Sequence, residues 1–271
     1  MRTTRTKTRT TSPTAPTSFT KTLGRRCFVG QVLAAFPAYA LLAEVAQAGA
    51  TPAAKTAHRW IEDQQEIALA LATGEIRPRQ WQSDVQALTR GLDIPELISE
   101  IRRSDGRDIG RALPSYPAKR TIRFRDPDGR PRKLRYAAAL FVFDRGNVIT
   151  PHAHRHMAAA HLVIDGRFRV RTFDRVGDTD GAILVRPTGD ETIRIGDVST
   201  MSTERDNVHW FVPKTETAAT FDVIVTGLDA GEPRYEIEAV DPVRGRKLAD
   251  GTIRAPVVGF EEAARFYTAD V

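Results

Sequence analysis

From about residue 119 the chain breaks into short runs of β-branched and aromatic residues, each closed by Gly, Asp or Pro. They read RTIRFRDPDGRPRKLRYAAALFVFDRGN, then HLVIDGRFRVRTFDRVGD, ILVRPTGDETIRIGDVST, HWFV, ATFDVIVTGL and RYEIEAVDP. Turn signals at such close intervals predict an all-β sandwich or barrel. In RFRVRTF an arginine stands at every second position, so one face of that strand is wet and the other buried. The chain carries no internal repeat, which predicts a single barrel over residues 113–256. The last segment, 257–271, contains FEEAARFYTADV and reads as a short C-terminal helix or tail.

Ahead of the barrel, residues 49–112 form a small helical segment, with helical texture over 54–104. A helix is expected over roughly 55–73, where Trp60, Ile61, Ile67 and Leu71 supply the apolar positions. In PRQWQSDVQALTRG, Trp81, Val85, Leu88 and Leu92 recur at helical spacing. Pro78 suits the first turn and Gly91 the stop. Asp93 is placed to cap a further short helix through Ile101. Core packing accounts for these apolar residues, and His58, with no histidine near it, is a surface or packing residue.

Residues 1–48 have a different character. Arg2, Arg5, Lys7, Arg9, Lys21, Arg25 and Arg26 come with no acid before Glu44, and a modest apolar run then leads to Ala46-Gln47-Ala48. A basic region, an apolar region and an A-x-A site predict an export signal. The Arg25-Arg26 pair, with Phe28 two residues on, resembles the twin-arginine type, although Gly24 stands where Ser or Thr is commoner. The resemblance implies passage through the twin-arginine translocase to the periplasm or beyond. A spanning anchor is the alternative, but the apolar run is short of the ~20 residues a crossing helix needs. Of 40 basic and 34 acidic residues this leader holds seven and one, which leaves 33 of each. The remainder is near neutral, so its charge gives no argument for nucleic acid. The one cysteine, Cys27, lies in the leader, so the rest of the chain has no disulfide, thiol nucleophile or thiolate ligand.

Four of the six histidines fall within PHAHRHMAAAH, residues 151–161. On a strand, residues i and i+2 point the same way. His152 and His154 therefore project from one face, close enough to share a metal. A third ligand must come from a neighbouring strand, and His209 is the remaining histidine of the β region. Three imidazoles on one side of a metal leave positions open for substrate and water. Imidazole suits Fe, Zn, Cu and Ni alike, so spacing does not name the divalent metal.

At these residues the chain resembles the cupin superfamily. Gly146, His152, His154 and Gly166 fit its first motif, and Gly196 to His209 its second, with a gap two residues longer than usual and without the internal Pro and Gly. The resemblance covers roughly residues 119–240 and implies a single double-stranded β-helix (jelly-roll) barrel with the metal inside. The glutamate of the first motif falls on Ala159, which removes the common three-His-plus-Glu set. The three-His set that remains resembles that of the thiol dioxygenases, cupins that hold Fe(II) and bind a thiolate substrate beside dioxygen. NVHWFVPKTETAATFDVIVTGL, with His209 and Phe221-Asp222, carries a second local likeness to that family. The resemblance implies Fe(II) as cofactor, with Zn and Ni left open, a small-molecule substrate such as a thiol, and pairing of sheet edges into a homodimer. His161 shares a face with Ala159 by parity; it is a candidate fourth ligand, a base beside the metal, or a barrel histidine. His156 reads as a rim residue. Tyr235 is available as a catalytic tyrosine. Arg123, Arg125 and Arg135 are candidates for holding a substrate carboxylate, though each also reads as a solvated strand arginine. The alternative to an oxygenase is a periplasmic binding or sensing module, whose metal is structural or merely holds a ligand.

Overall fold

The computed structural model describes residues 56–107, 117–229 and 235–268; the leader and its paired arginines lie outside them. Among the described residues three helices come first: α1 (Ala57–Thr73), α2 (Pro78–Thr89) and α3 (Ile94–Asp105). Thr56 caps α1 through the Arg59 amide, Pro78 opens α2, and Asp93 caps α3 by accepting the Glu96 amide at 2.9 Å. Gly91, at φ 75°, follows the end of α2 as expected. Helix α3 runs one turn beyond Ile101, because Ser104 and Asp105 find partners in Glu100 and Arg120. None of the helices among the described residues is long and apolar enough to cross a membrane.

Among the described residues twelve strands follow. They are β1 (Ala118–Ile122), β2 (Ala137–Asp144), β3 (Ile149–Arg155), β4 (Met157–Asp165), β5 (Arg167–Thr179) and β6 (Ala182–Arg194). Then come β7 (Val198–Met201), β8 (Val208–Pro213), β9 (Thr217–Thr226), β10 (Glu236–Ala239), β11 (Arg246–Lys247) and β12 (Ile253–Pro256). A last helix, α4 (Phe260–Phe266), closes the described chain. The strands form a five-stranded sheet, β1-β2-β9-β4-β7, and a seven-stranded sheet, β10-β3-β8-β5-β6-β12-β11, with antiparallel pairing throughout. Phe143, Val163 and Ala218 of the first sheet meet Phe168, Val170, Ile193 and Phe211 of the second in one buried cluster. The two sheets thus enclose a common interior, as the double-stranded β-helix requires. Strand β5 alternates as its arginines predict: Phe168 and Val170 are buried between the more exposed Arg167, Arg169 and Arg171. Strands β11 and β12 lengthen the larger sheet beyond the segments that the turn pattern marks.

Both faces of the five-stranded sheet are buried, and for different reasons. The inward residues line the barrel. Outward, Leu140, Ala160, Leu162, Phe221 and Val223 pack against Trp60, Ile61, Trp81, Leu97 and Ile101 of the helices. The helical segment is therefore a lid on the outside of this sheet and shares its core. Polar contacts fasten it: Ser202 Oγ donates to Gln82 Oε1 at 2.8 Å, and Gln82 Nε2 donates to Thr200 O at 3.2 Å. Outside β8, Trp210 and Val212 are covered by Ala263 and Tyr267 of the C-terminal segment.

One glycine is required by the backbone. Gly166 turns β4 into β5 at φ 68°, and an added Cβ would lie 2.4 Å from the Thr217 carbonyl oxygen. It is one of the two glycines of the first motif.

Phe221 sits between Trp60 and Phe124, with ring centroids 5.9 Å from each. Phe221→Ala should cost about 3–5 kcal/mol of unfolding free energy, because it empties a fully buried site shared by helices and sheet. Leu69→Ala, on the exposed face of α1, should cost within ~0.5 kcal/mol. Denaturant unfolding of the two variants measures the contrast.

Candidate metal centre

The register between β3 and β8 places His152 directly opposite His209. His154, two residues along β3, falls on the same face. The three rings stand 4.5, 4.6 and 4.8 Å apart between centroids. One ligand-capable nitrogen from each lies within 4.8 Å of the others, and among the described residues these are the three side chains so grouped. Nitrogens bound to one metal at about 2.1 Å stand roughly 3–4 Å apart, so the cluster is near coordination geometry.

Outer hydrogen bonds orient two of the rings. His152 Nδ1 donates to Thr150 O at 2.8 Å, and His154 Nδ1 donates to Asn207 O at 3.0 Å. Each leaves Nε2 as the free lone pair, in the usual manner of ligating imidazoles. Asn207 does more: its side-chain amide donates to His154 O at 2.8 Å and to Ser202 O at 3.1 Å. The turn over 202–207, closed by the Ser202 amide on Arg205 O, thereby ties the start of β8 to β3. Asp206 enters that turn at φ 52°, its amide donating to Asp174 Oδ1 at 2.7 Å. The long interval between Gly196 and His209 thus contains the clamp that aligns the two ligand strands. His209 has no such outer partner; its Nδ1 is buried and unpaired. Three grouped imidazoles, two of them oriented with Nε2 free, fit a divalent ion of the Fe, Zn, Ni or Cu type.

Burial holds the three rings neutral. It lowers His152 to about 4 and takes His154 and His209 well below the ordinary histidine value; the neighbouring histidines push the same way, while the hydrogen bond to Thr150 works against the shift at His152. His154 and His209 are nearly inaccessible, whereas His152 keeps an open edge beside the ring of Phe260.

Ala159 faces the interior and packs with Met157, Met201 and Ile224, so where the motif carries glutamate this barrel has an apolar wall. His161, also inward, stands edge-on to His209 at 4.6 Å and to Phe211 at 5.2 Å between ring centroids. It does not belong to the ligand-capable group. Its Nδ1 instead donates to Asp222 Oδ2 at 2.8 Å. Asp222 and Asn207 were not predicted as site residues; Asp222 appears in the sequence only as half of Phe221-Asp222.

The other candidates lie apart. His156 turns the chain at φ 59° and pairs with Asp229 at 2.5 Å. His58 is exposed beside Glu62. Tyr235 is 54 % exposed, in a surface recess with Arg135, Ile224 and Thr226. Arg135 donates to Thr226 O, Arg125 donates to Gly129 O, and Arg123 is exposed. No contact joins these side chains to the three histidines.

At about pH 6, three ordinary imidazoles would surrender roughly two protons to an incoming metal. The neutral rings of this site should release close to none. Calorimetric metal titration in two buffers of different ionisation enthalpy counts the protons; release near two would contradict the burial argument.

No protein-family model and no curated protein matches the chain. Solved structures do match part of it. One is an uncharacterized conserved protein with a double-stranded beta-helix domain from Klebsiella pneumoniae, 15 % identical, covering 47 % of this chain and 84 % of that one at a TM-score of 0.31. A second is a cupin superfamily protein from Desulfitobacterium hafniense, 15 % identical, covering 40 % and 76 % at 0.26. A third is procruciferin, an 11S globulin from Brassica napus, 15 % identical, covering 47 % of this chain but 28 % of its own length at 0.34. These neighbours are double-stranded β-helix proteins, and at such identities the likeness concerns the fold alone.

Proposed function

We propose that the chain is an exported, mononuclear non-haem iron oxygenase of the three-His cupin kind, whose substrate binds through an anionic atom such as a thiolate. The observation that carries this reading is the convergence of His152, His154 and His209, drawn from two paired strands, with no carboxylate among them. Bound there, a divalent iron would supply Lewis-acid charge and adjacent open positions for substrate and dioxygen. Neutral imidazoles leave the double charge of the ion uncompensated, which favours an anion in a dry interior. The protein's own contribution is orientation. Thr150 and Asn207 fix two rings, and Phe211, with Phe168 behind it, walls the site against water. The apolar Ala159 wall suits the hydrocarbon part of a small thiol. Passage through the twin-arginine translocase and residence in the periplasm belong to the same proposal, since that route carries folded, metal-loaded proteins. Tyr235 has no chemical role in it.

A non-catalytic module with a closed, four-ligand metal would recruit His161. That the ligand-capable group stops at three favours an open site. The test is oxygen consumption after anaerobic Fe(II) loading, screened with small thiols. His209→Ala should remove both bound iron and thiol-dependent oxygen uptake, a loss of at least about a hundredfold. Iron-dependent turnover retained in that variant would overturn the assignment.

A further inference from the structure

Facing the three histidines across the barrel is a second polar wall. It is built on β4 and β9, where His161 pairs in register with Asp222. Thr220 lies two residues before Asp222, on the same inward face. All three are at least nine-tenths buried. Each nonetheless has an unpaired polar atom: His161 Nε2, Asp222 Oδ1 and Thr220 Oγ1. The opposite face of β9, by contrast, carries Ala219, Phe221, Val223 and Val225 into the helical core.

Burying a carboxylate with one oxygen unpaired costs stability, and so does burying an imidazole nitrogen without a partner. A wall of this composition is explained by what it receives. A carboxylate oxygen accepts, so in the 2.8 Å contact His161 Nδ1 is the donor. With that hydrogen on Nδ1, the imidazole lone pair lies on the unpaired Nε2. The edge-on packing against His209 holds the His161 ring beside the ligand cluster, yet outside the group that can share a metal.

We infer that His161, with its tautomer set by Asp222, is the hydrogen-bond acceptor that selects ligands of the three-His site carrying an O–H or N–H group beside the atom that binds the metal. His161 is thus a specificity-determining residue, and Asp222 a positioning residue acting through it. Thr220, as donor or acceptor, completes the wall. The inference rests on the metal reading above and narrows its substrate class: an anionic donor atom at one end, a hydrogen donor a few bonds away.

The test uses a matched pair of probes on the Co(II)-loaded protein, followed by the visible absorption of the ion. 2-Mercaptoethanol and 1-propanethiol have the same length, and an O–H of the first is a methyl of the second. The variants are Asp222→Asn and the double variant His161→Phe/Asp222→Asn, which keeps the ring volume and strands no buried charge. In the double variant the preference for 2-mercaptoethanol over 1-propanethiol should fall about three- to tenfold relative to wild type, the usual weight of one such hydrogen bond. Asp222→Asn alone should lose part of that preference, and the loss of Co(II) affinity should stay below the ~10-fold that removing a ligand's own hydrogen-bond partner costs, since His161 and Asp222 bond each other and not a ligand ring. An unchanged preference in a double variant that still binds Co(II) would overturn the inference and leave the metal site standing. Loss of Co(II) from the double variant, matching His209→Ala, would also overturn it, by making His161 a ligand. Wild-type protein that takes up no Co(II) would bring down the metal reading, and this inference with it.

Discussion

The site depends on the register of two strands. β3 and β8 are separated by more than fifty residues of chain, and a slip of one residue would turn His209 outward, since side chains alternate along a strand. Three features hold that register. The β3 ladder carries an irregularity between Ile149 and His152, where the pairing resets so that His152 meets His209. Asn207 bonds His154 through both its main chain and its side chain. On the outward face of β8, Trp210 is fixed by Tyr267 at 4.8 Å and by the Arg171 guanidinium at 4.0 Å. Rotating β8 by one position would bury that arginine's partner inside the barrel and expose a histidine. The outer packing and the inner ligand set therefore enforce each other.

Charge explains the composition around the cluster. A divalent ion among three neutral imidazoles is unbalanced, and the chain does not place a carboxylate directly against it. Ala159 occupies that position instead, in an apolar patch with Met157 and Met201. A buried acid, Asp222, is set back behind His161. A carboxyl group one imidazole away occupies no coordination position. That leaves room for an exogenous anion, the feature on which the proposed chemistry turns.

The parts of this arrangement visible in the sequence are those set by local periodicity. Alternation in RFRVRTF, the i, i+2 spacing of His152 and His154, and the caps at Asp93 and Pro78 each act within a few residues, so they survive as pattern. His209 was reachable because the β region holds no other histidine beyond the 151–161 cluster. What the sequence could not show depends on pairing across the barrel. The Asp222 partner of His161 is 61 residues away. The clamp at Asn207 needs a turn whose left-handed residue is Asp206 and not glycine. Tyr235 has only its residue type to mark it, since no spacing ties it to the histidines, and it lies half exposed in a surface recess. The helices read correctly as helices, but that they would roof the outer face of the smaller sheet follows only from where Phe221 and Trp60 meet.

The most direct measurement is elemental metal analysis of the chain, purified without chelator or added histidines and then loaded anaerobically with Fe(II), together with X-ray absorption of the bound ion. The account predicts one metal per chain, bound by three imidazole nitrogens and by light exogenous atoms that a thiol replaces with sulfur. A chain that takes up no metal, or an ion already closed by four protein ligands, would contradict it.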